Sequence, residues 1–152
     1  TLHAPGQLVS YPIVRIPRRD LGGYVHNLEE VLVRLLADLG VLAERRRGRP
    51  GLYVEGRKIA SVGLRCQQWV ASHGTSLNVN VDLGLFVHIV SCGEPELEQT
   101  SLEQLTGRTF PMEDIKRRYR EALADVFGWD LGPITAVELV EVERYLGLPA
   151  RT

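Results

Sequence analysis

The most regular pattern in the chain lies between Leu21 and Leu39, where Val25, Leu28, Val31, Leu32, Leu35, Leu36 and Leu39 recur at three- and four-residue intervals. That spacing puts them on one face of an α-helix. Asp20 offers a carboxylate to the unpaired N–H groups of a first turn and Gly40 supplies a stop, so the pattern predicts a helix over 21–39. A second stripe, Ile115, Tyr119, Leu123 and Val126, follows Pro111 and ends near Gly128, which predicts another long helix. Thr100 and Glu103 stand at capping-box spacing for a short helix before it, and 136–146 carries a weaker helical pattern.

Between the helical stretches the pattern changes to that of strands. Leu8 to Ile16 is rich in β-formers, with Pro12 inside it arguing for an edge strand or a bulge. Arg45 to Gly51 reads as a polar, flexible loop leading to a short strand at Leu52 to Val54. A Glu55-Gly56 turn then gives a hairpin whose second arm, Lys58 to Gln67, carries Ile59, Val62 and Leu64. Leu77 to Val81 alternates apolar with polar as a half-buried strand should. Leu83 to Ile89 predicts a short helical turn, and the irregular run after it leaves Cys92 in a loop. The order of strand, helix, several strands and then helices predicts an α+β fold, a mixed sheet flanked by helices.

Composition narrows the function classes. With 152 residues and 44% apolar content there is material for one well-buried core, and no second domain is required. Eighteen Lys and Arg against nineteen Asp and Glu give a formal charge of −1, so neither nucleic acid nor membrane is expected as the main ligand. Two cysteines are too few for a disulfide framework and suit a reducing, cytoplasmic setting.

Cys92 stands between Ser91 and Gly93, small neighbours that let a carbonyl approach and leave backbone N–H groups accessible. A cysteine is a useful nucleophile as its thiolate, which a nearby cation favours, so the position needs a partner. Its other reading is a small apolar residue filling a gap. Lys58 is a candidate partner: it follows the Gly56 turn at the start of a strand, where the backbone is fixed, although a solvated lysine has the same signature. His3 and His73 each adjoin glycine-containing loop sequence and are candidate binding residues or structural histidines, whereas His26 and His88 read as surface or packing. The basic run from Arg45 to Arg49 could grip a phosphate or an acidic protein partner, or be a solvated loop. No pair of His or Cys has the short spacing of zinc ligands and no Gly-x-Ser-x-Gly elbow is present, so no metal, cofactor or serine triad is expected.

In order along the chain, His3-Ala4-Pro5-Gly6-Gln7-Leu8, then Gly51 through Lys58-Ile59-Ala60-Ser61-Val62-Gly63, then His73-Gly74 with Leu77-Asn78-Val79, then Cys92-Gly93 before Thr100-Ser101, resemble the lipoyl(octanoyl) transferases. The resemblance runs from Thr1 to about Phe127. It departs from the family pattern at Ala4 and Ser91, where Gly and Pro are usual, and in lacking an upstream Arg-Gly-Gly segment. The chain is therefore expected to be a single catalytic domain over 1–152 without its N-terminal portion.

The resemblance implies a fold like that of biotin and lipoate ligases and an acyltransferase in lipoate biosynthesis. It puts the acyl-carrying nucleophile at Cys92 and its activating lysine at Lys58. Substrate contacts are implied at Thr1, Leu2 and His3, at Ser61, Val62 and Gly63, and at His73, Gly74, Thr75 and Ser76. The implied donor is octanoyl-acyl carrier protein, and the implied acceptors are lipoyl domains of 2-oxoacid dehydrogenases and the glycine cleavage H protein. Two other readings stay open: an ATP-dependent lipoate or biotin ligase, for which Arg47-Gly48-Arg49-Pro50-Gly51 is a weak match, and a non-catalytic module binding acyl groups or lipoyl domains.

Overall fold

In a computed structural model, residues 2–88 and 97–132 are described. Their elements are β1 (Gln7–Ser10), β2 (Val14–Arg15), a 3-10 turn (Pro17–Arg19), α1 (Leu21–Asp38), β3 (Glu44–Arg46), β4 (Arg49–Val54), β5 (Arg57–Gln67) and β6 (Val70–Asn78). A second 3-10 segment (Leu83–His88), α2 (Leu102–Thr106) and α3 (Met112–Phe127) complete them. The strands form one sheet in the order β1-β6-β5-β4-β3, with β2 also paired to β6 and every ladder antiparallel. This is the expected α+β arrangement. The helical pattern expected over 136–146 lies outside the described residues, and no described helix is long and apolar enough to cross a membrane.

Helix α1 supplies the centre of the core. Leu28, Val31, Leu32, Leu35 and Leu36 are fully buried with Leu52, Ile59 and Leu77 from the sheet and Ile115 from α3. Each such side chain withdrawn from water stabilises the fold by about 1.5–3 kcal/mol. At its first turn the inward residue is Tyr24, not Val25, which is only half-buried. The Asp20 carboxylate accepts from Gly23 N–H at 2.8 Å, as a capping aspartate should. Gly40 takes φ +81° just past the helix end.

Tyr24 carries an uncompensated polar atom: its hydroxyl is buried without a hydrogen-bond partner among the described residues. Burial, reinforced by the Tyr119 phenol, pushes its pKa up to about 12. An unfolded tyrosine ionises near pH ~10, so this group contributes stability that is intact below that pH and is lost as pH rises through about 12, by roughly 2–3 kcal/mol. Tyr24→Phe is expected to lessen that alkaline loss and to match or exceed the parent in stability near neutral pH, as read by urea unfolding at both pH values. A clear destabilisation near neutrality would mean that the hydroxyl does have a partner.

Several sequence expectations change at the turns. Leu8 to Ile16 is two strands laid end to end along β6, interrupted at Tyr11-Pro12-Ile13, because Pro12 has no N–H to give the ladder. The basic run is a correction: Glu44–Arg46 and Arg49–Val54 are the arms of a hairpin, with Gly48 at φ +74° in the turn that was expected to be a flexible loop. The strand expected over 77–81 runs instead from Val70 to Asn78, so His73 and Gly74 lie within a strand and not in a loop. Its entry turn was hidden because Gln68 and Trp69, both at positive φ, occupy positions where Asn or Gly would be the usual signal. The short helix α2 is capped one residue later than expected, by Ser101, whose hydroxyl accepts from Gln104 N–H at 3.1 Å.

Candidate active site

Alternation along the sheet sends Leu52, Ala60 and Leu77 toward the helices and leaves the opposite face to a different set of residues. On that face Ser61 stands opposite Ser76, and Gly63 opposite Gly74. The result is a floor of very small side chains beneath a cavity of about 720 Å³.

Lys58 reaches this cavity through a fault in the alternation. Leu52 pairs with Ala60 but the next residue, Tyr53, pairs with Lys58, so Ile59 is the extra residue of a β-bulge. Strict alternation would place Lys58 on the same side as Ala60, in the core. The bulge reverses it to the side of Ser61, where its Nζ lies 5.5 Å from the Tyr53 ring centroid. Lys58 is nonetheless only 3% exposed. Its backbone is bound on the outer side as well: its N–H donates to Glu98 C=O at 2.9 Å, and Thr100 N–H donates to its C=O at 2.9 Å. The buried lysine is thus sewn to the segment that follows Cys92 in sequence.

Space for the lysine stem comes from Gly51, at φ +123°. A Cβ there would come 2.9 Å from Lys58 Cε and 2.4 Å from the Ala60 carbonyl oxygen. Gly51 is held in turn by Glu29 of α1, whose carboxylate accepts its N–H at 2.9 Å and lies 3.5 Å from Arg45 Nε. Gly51→Ala is expected to cost about 2–4 kcal/mol from backbone strain and overpacking. Urea unfolding measures this directly, and a loss below about 0.5 kcal/mol, the size of an ordinary surface substitution, would count against the packing just described.

The N-terminal segment closes one wall. The His3 ring hydrogen-bonds the Tyr11 hydroxyl, and the Tyr11 ring meets His73 edge-on at 5.4 Å. Gln7 donates to the Asn78 side chain at 2.8 Å, and Asn78 donates to Thr100 C=O at 3.0 Å. One buried amide therefore links the N-terminal segment, the end of β6 and the segment after Lys58's outer partner.

Of the residues singled out from sequence, Leu2, His3, Lys58, Ser61, Val62 and Gly63 line this cavity, as do His73, Gly74, Thr75 and Ser76. Thr75 also bonds inward, its hydroxyl 3.0 Å from that of Tyr119, whose pKa burial raises. Thr1 and Cys92 lie outside the described residues. Sequence reasoning missed Gln7, Tyr11, Tyr53, Asn78, Phe86 and Gln99, which also line the cavity. A signal existed for Asn78: an amide among apolar residues in Leu-Asn-Val-Asn-Val invites the question of what it bonds. Among the described residues no three His, Cys, Asp or Glu side chains converge as metal ligands would.

A family model described as the lipoyl protein ligase A/B catalytic domain matches residues 1–124. The octanoyltransferase of Rubrobacter xylanophilus is 44% identical over 130 residues, covering 82% of this chain and 59% of that protein. The octanoyltransferase of Thermosynechococcus vestitus is 38% identical over 142 residues, covering 92% of this chain and 62% of that protein. The chain thus spans about three fifths of the length of these curated relatives. Among solved structures, a lipoate-protein ligase A bound with ATP superposes with a TM-score of 0.71 at 14% identity, over 95% of this chain and 62% of that one. Biotin protein ligase from Aquifex aeolicus gives 0.64 at 15% identity, over 80% and 52%. At these identities the structural likeness speaks for the fold.

Proposed function

Because the chain belongs to the family of lipoyl protein ligase A/B catalytic domains, we propose that it is the greater part of an octanoyltransferase. It takes an octanoyl group from octanoyl-acyl carrier protein onto Cys92 and passes it to a lysine of a lipoyl domain. Curated octanoyltransferases at 44% and 38% identity support the activity. The observation that carries the site assignment is the burial of Lys58 at a cavity floored by serine and glycine, with its backbone paired to the segment following Cys92.

In this mechanism the Lys58 ammonium favours the thiolate of Cys92. The thiolate attacks the carbonyl carbon of the donor thioester, and the negative charge passes to the carbonyl oxygen. Collapse of that intermediate breaks the bond to the carrier sulfur, which leaves as a thiolate and takes up a proton. The neutral amine of the acceptor lysine then attacks the Cys92 thioester, loses a proton, and expels the Cys92 thiolate, leaving an amide. Backbone N–H groups near Cys92 or along 61–63 are the donors for the oxyanion, each worth about 2.7–4 kcal/mol in such sites. The charge moves entirely between sulfur, oxygen and nitrogen, and the reaction consumes no nucleotide.

The test is to incubate the protein with octanoyl-acyl carrier protein without ATP, and to follow intact mass and then peptide mass. The expected result is one added octanoyl group on the Cys92 peptide, removed when a lipoyl domain is supplied. Transfer that requires ATP and releases pyrophosphate would instead make the chain a ligase.

A further inference from the structure

The charged residues lining the cavity are all cationic. Arg49, Lys58 and Arg65 line it together with His3 and His73, and among the described residues no aspartate or glutamate does, in a chain whose formal charge is −1. The cations stand at the two ends of the small-residue floor. Lys58 is at one end of β5's cavity face, Ser61 and Gly63 follow, and Arg65 is at the other. Arg49, two residues before Gly51 on β4, also lines the cavity. Between them the surface is bare: a Cβ built on Gly63 would meet nothing within 4 Å. Arg65 is exposed, and no described carboxylate pairs with it.

Taken with the proposed function, on which it rests, this arrangement is larger and more polar than an eight-carbon chain requires. A cavity of about 720 Å³ falls in the range that holds drug-sized ligands, about 300–1,000 Å³. The strand from Lys58 to Arg65 spans roughly 20 Å at about 3.3 Å per residue. That is comparable to an extended pantetheine arm plus the reach of an arginine. The arm of an acyl carrier protein bears its acyl thioester at one end and a phosphodiester at the other. We propose that Arg65, with Arg49 of the neighbouring strand also lining the cavity, binds the phosphodiester of the donor's pantetheine arm, and that the missing side chain at Gly63 leaves the sheet bare there so that the arm can lie across it toward Lys58. A guanidinium suits this role because its planar N–H groups match two phosphate oxygens at once. The phosphate of an acyl adenylate has the same chemistry, so the experiment must separate the two.

Binding is measured by calorimetry with three unreactive probes: the thioether analogues of S-octanoyl-4′-phosphopantetheine and of S-octanoyl-pantetheine, and a non-hydrolysable octanoyl-adenylate analogue. The expected result is that the phosphorylated pantetheine probe binds about tenfold to a hundredfold more tightly than its unphosphorylated twin. In Arg65→Gln, and in Arg65→Ala, that ratio is expected to fall to nearly one, with thermal unfolding checking that each variant is folded. Equal binding of the two pantetheine probes by the parent would overturn the proposal. So would an Arg65 effect confined to the adenylate probe, which would assign the site to a nucleotide. Because the ratio is read without turnover, a failure of Cys92 to become acylated and a failure of this subsite are separate results.

Discussion

A Cys92→Ser protein is expected to transfer octanoate to a lipoyl domain about 10⁴-fold or more slowly than the parent, with no acyl group retained on the 92-containing peptide. The change replaces sulfur by oxygen and little else. At neutral pH a hydroxyl has almost no anionic form, and an alkoxide is a much poorer leaving group than a thiolate when the acceptor amine attacks. Both half-reactions should therefore suffer. Single-turnover transfer from octanoyl-acyl carrier protein measures this, and a variant within about tenfold of the parent would remove Cys92 from the mechanism, since truncating a true nucleophile costs far more.

The second large effect is at Lys58. Methionine keeps most of the stem's shape beside the Tyr53 ring while deleting the charge, so Lys58→Met is expected to fold. Transfer should nevertheless fall by about 10²–10⁴-fold, the range over which a positioned proton-transfer or charge partner contributes. The pH dependence distinguishes a partner of the thiolate from a merely structural lysine. Without the ammonium, ionisation of the cysteine should move up toward the ordinary thiol value near about 8.5, so the acylation rate of Lys58→Met should climb through that pH. The parent should already be flat there. A rate lowered equally at every pH would argue that Lys58 only supports the fold. Arginine is not a rescue, because the stem is already within contact distance of the space that Gly51 leaves open.

Much of the lining of this candidate site is legible in the sequence, and for a physical reason. A cavity floored by a sheet needs small residues, and these stand out in sequence: Ser61 with Gly63, and Gly74 with Ser76. The helices were equally plain, because α1 and α3 bury one stripe each and the 3.6-residue period survives in the pattern. The misreadings share a cause. Arg45 to Arg49 looked like a loop because strands at a sheet edge need no apolar face, and there the arginine side chains are engaged by partners remote in sequence. Arg45 pairs with Glu29 and Glu30 of α1, and the Arg46 guanidinium lies 4.5 Å from the Tyr53 ring centroid. The start of β6 was lost because Gln68 and Trp69 adopt a turn that their side chains do not advertise. The burial of Lys58 was also invisible, although a trace of it existed: Ile59 and Val62 are three apart where a regular strand would keep its core residues two apart. That irregular step is the bulge.

The same bulge makes the hairpin intolerant of length changes in one place and indifferent to them in another. A regular ladder that kept every residue would pair Ile59 with Tyr53 and carry the Lys58 ammonium into hydrocarbon, where an unpaired charge is very costly. Deleting Ile59 would leave Lys58 beside Tyr53 but empty a fully buried place in the core. An added residue at the Arg47-Gly48 tip would merely lengthen a solvent-facing bend. Lineages that diversify this scaffold should therefore vary the length of the arginine tip freely while keeping the count of residues from Leu52 to Ala60 fixed.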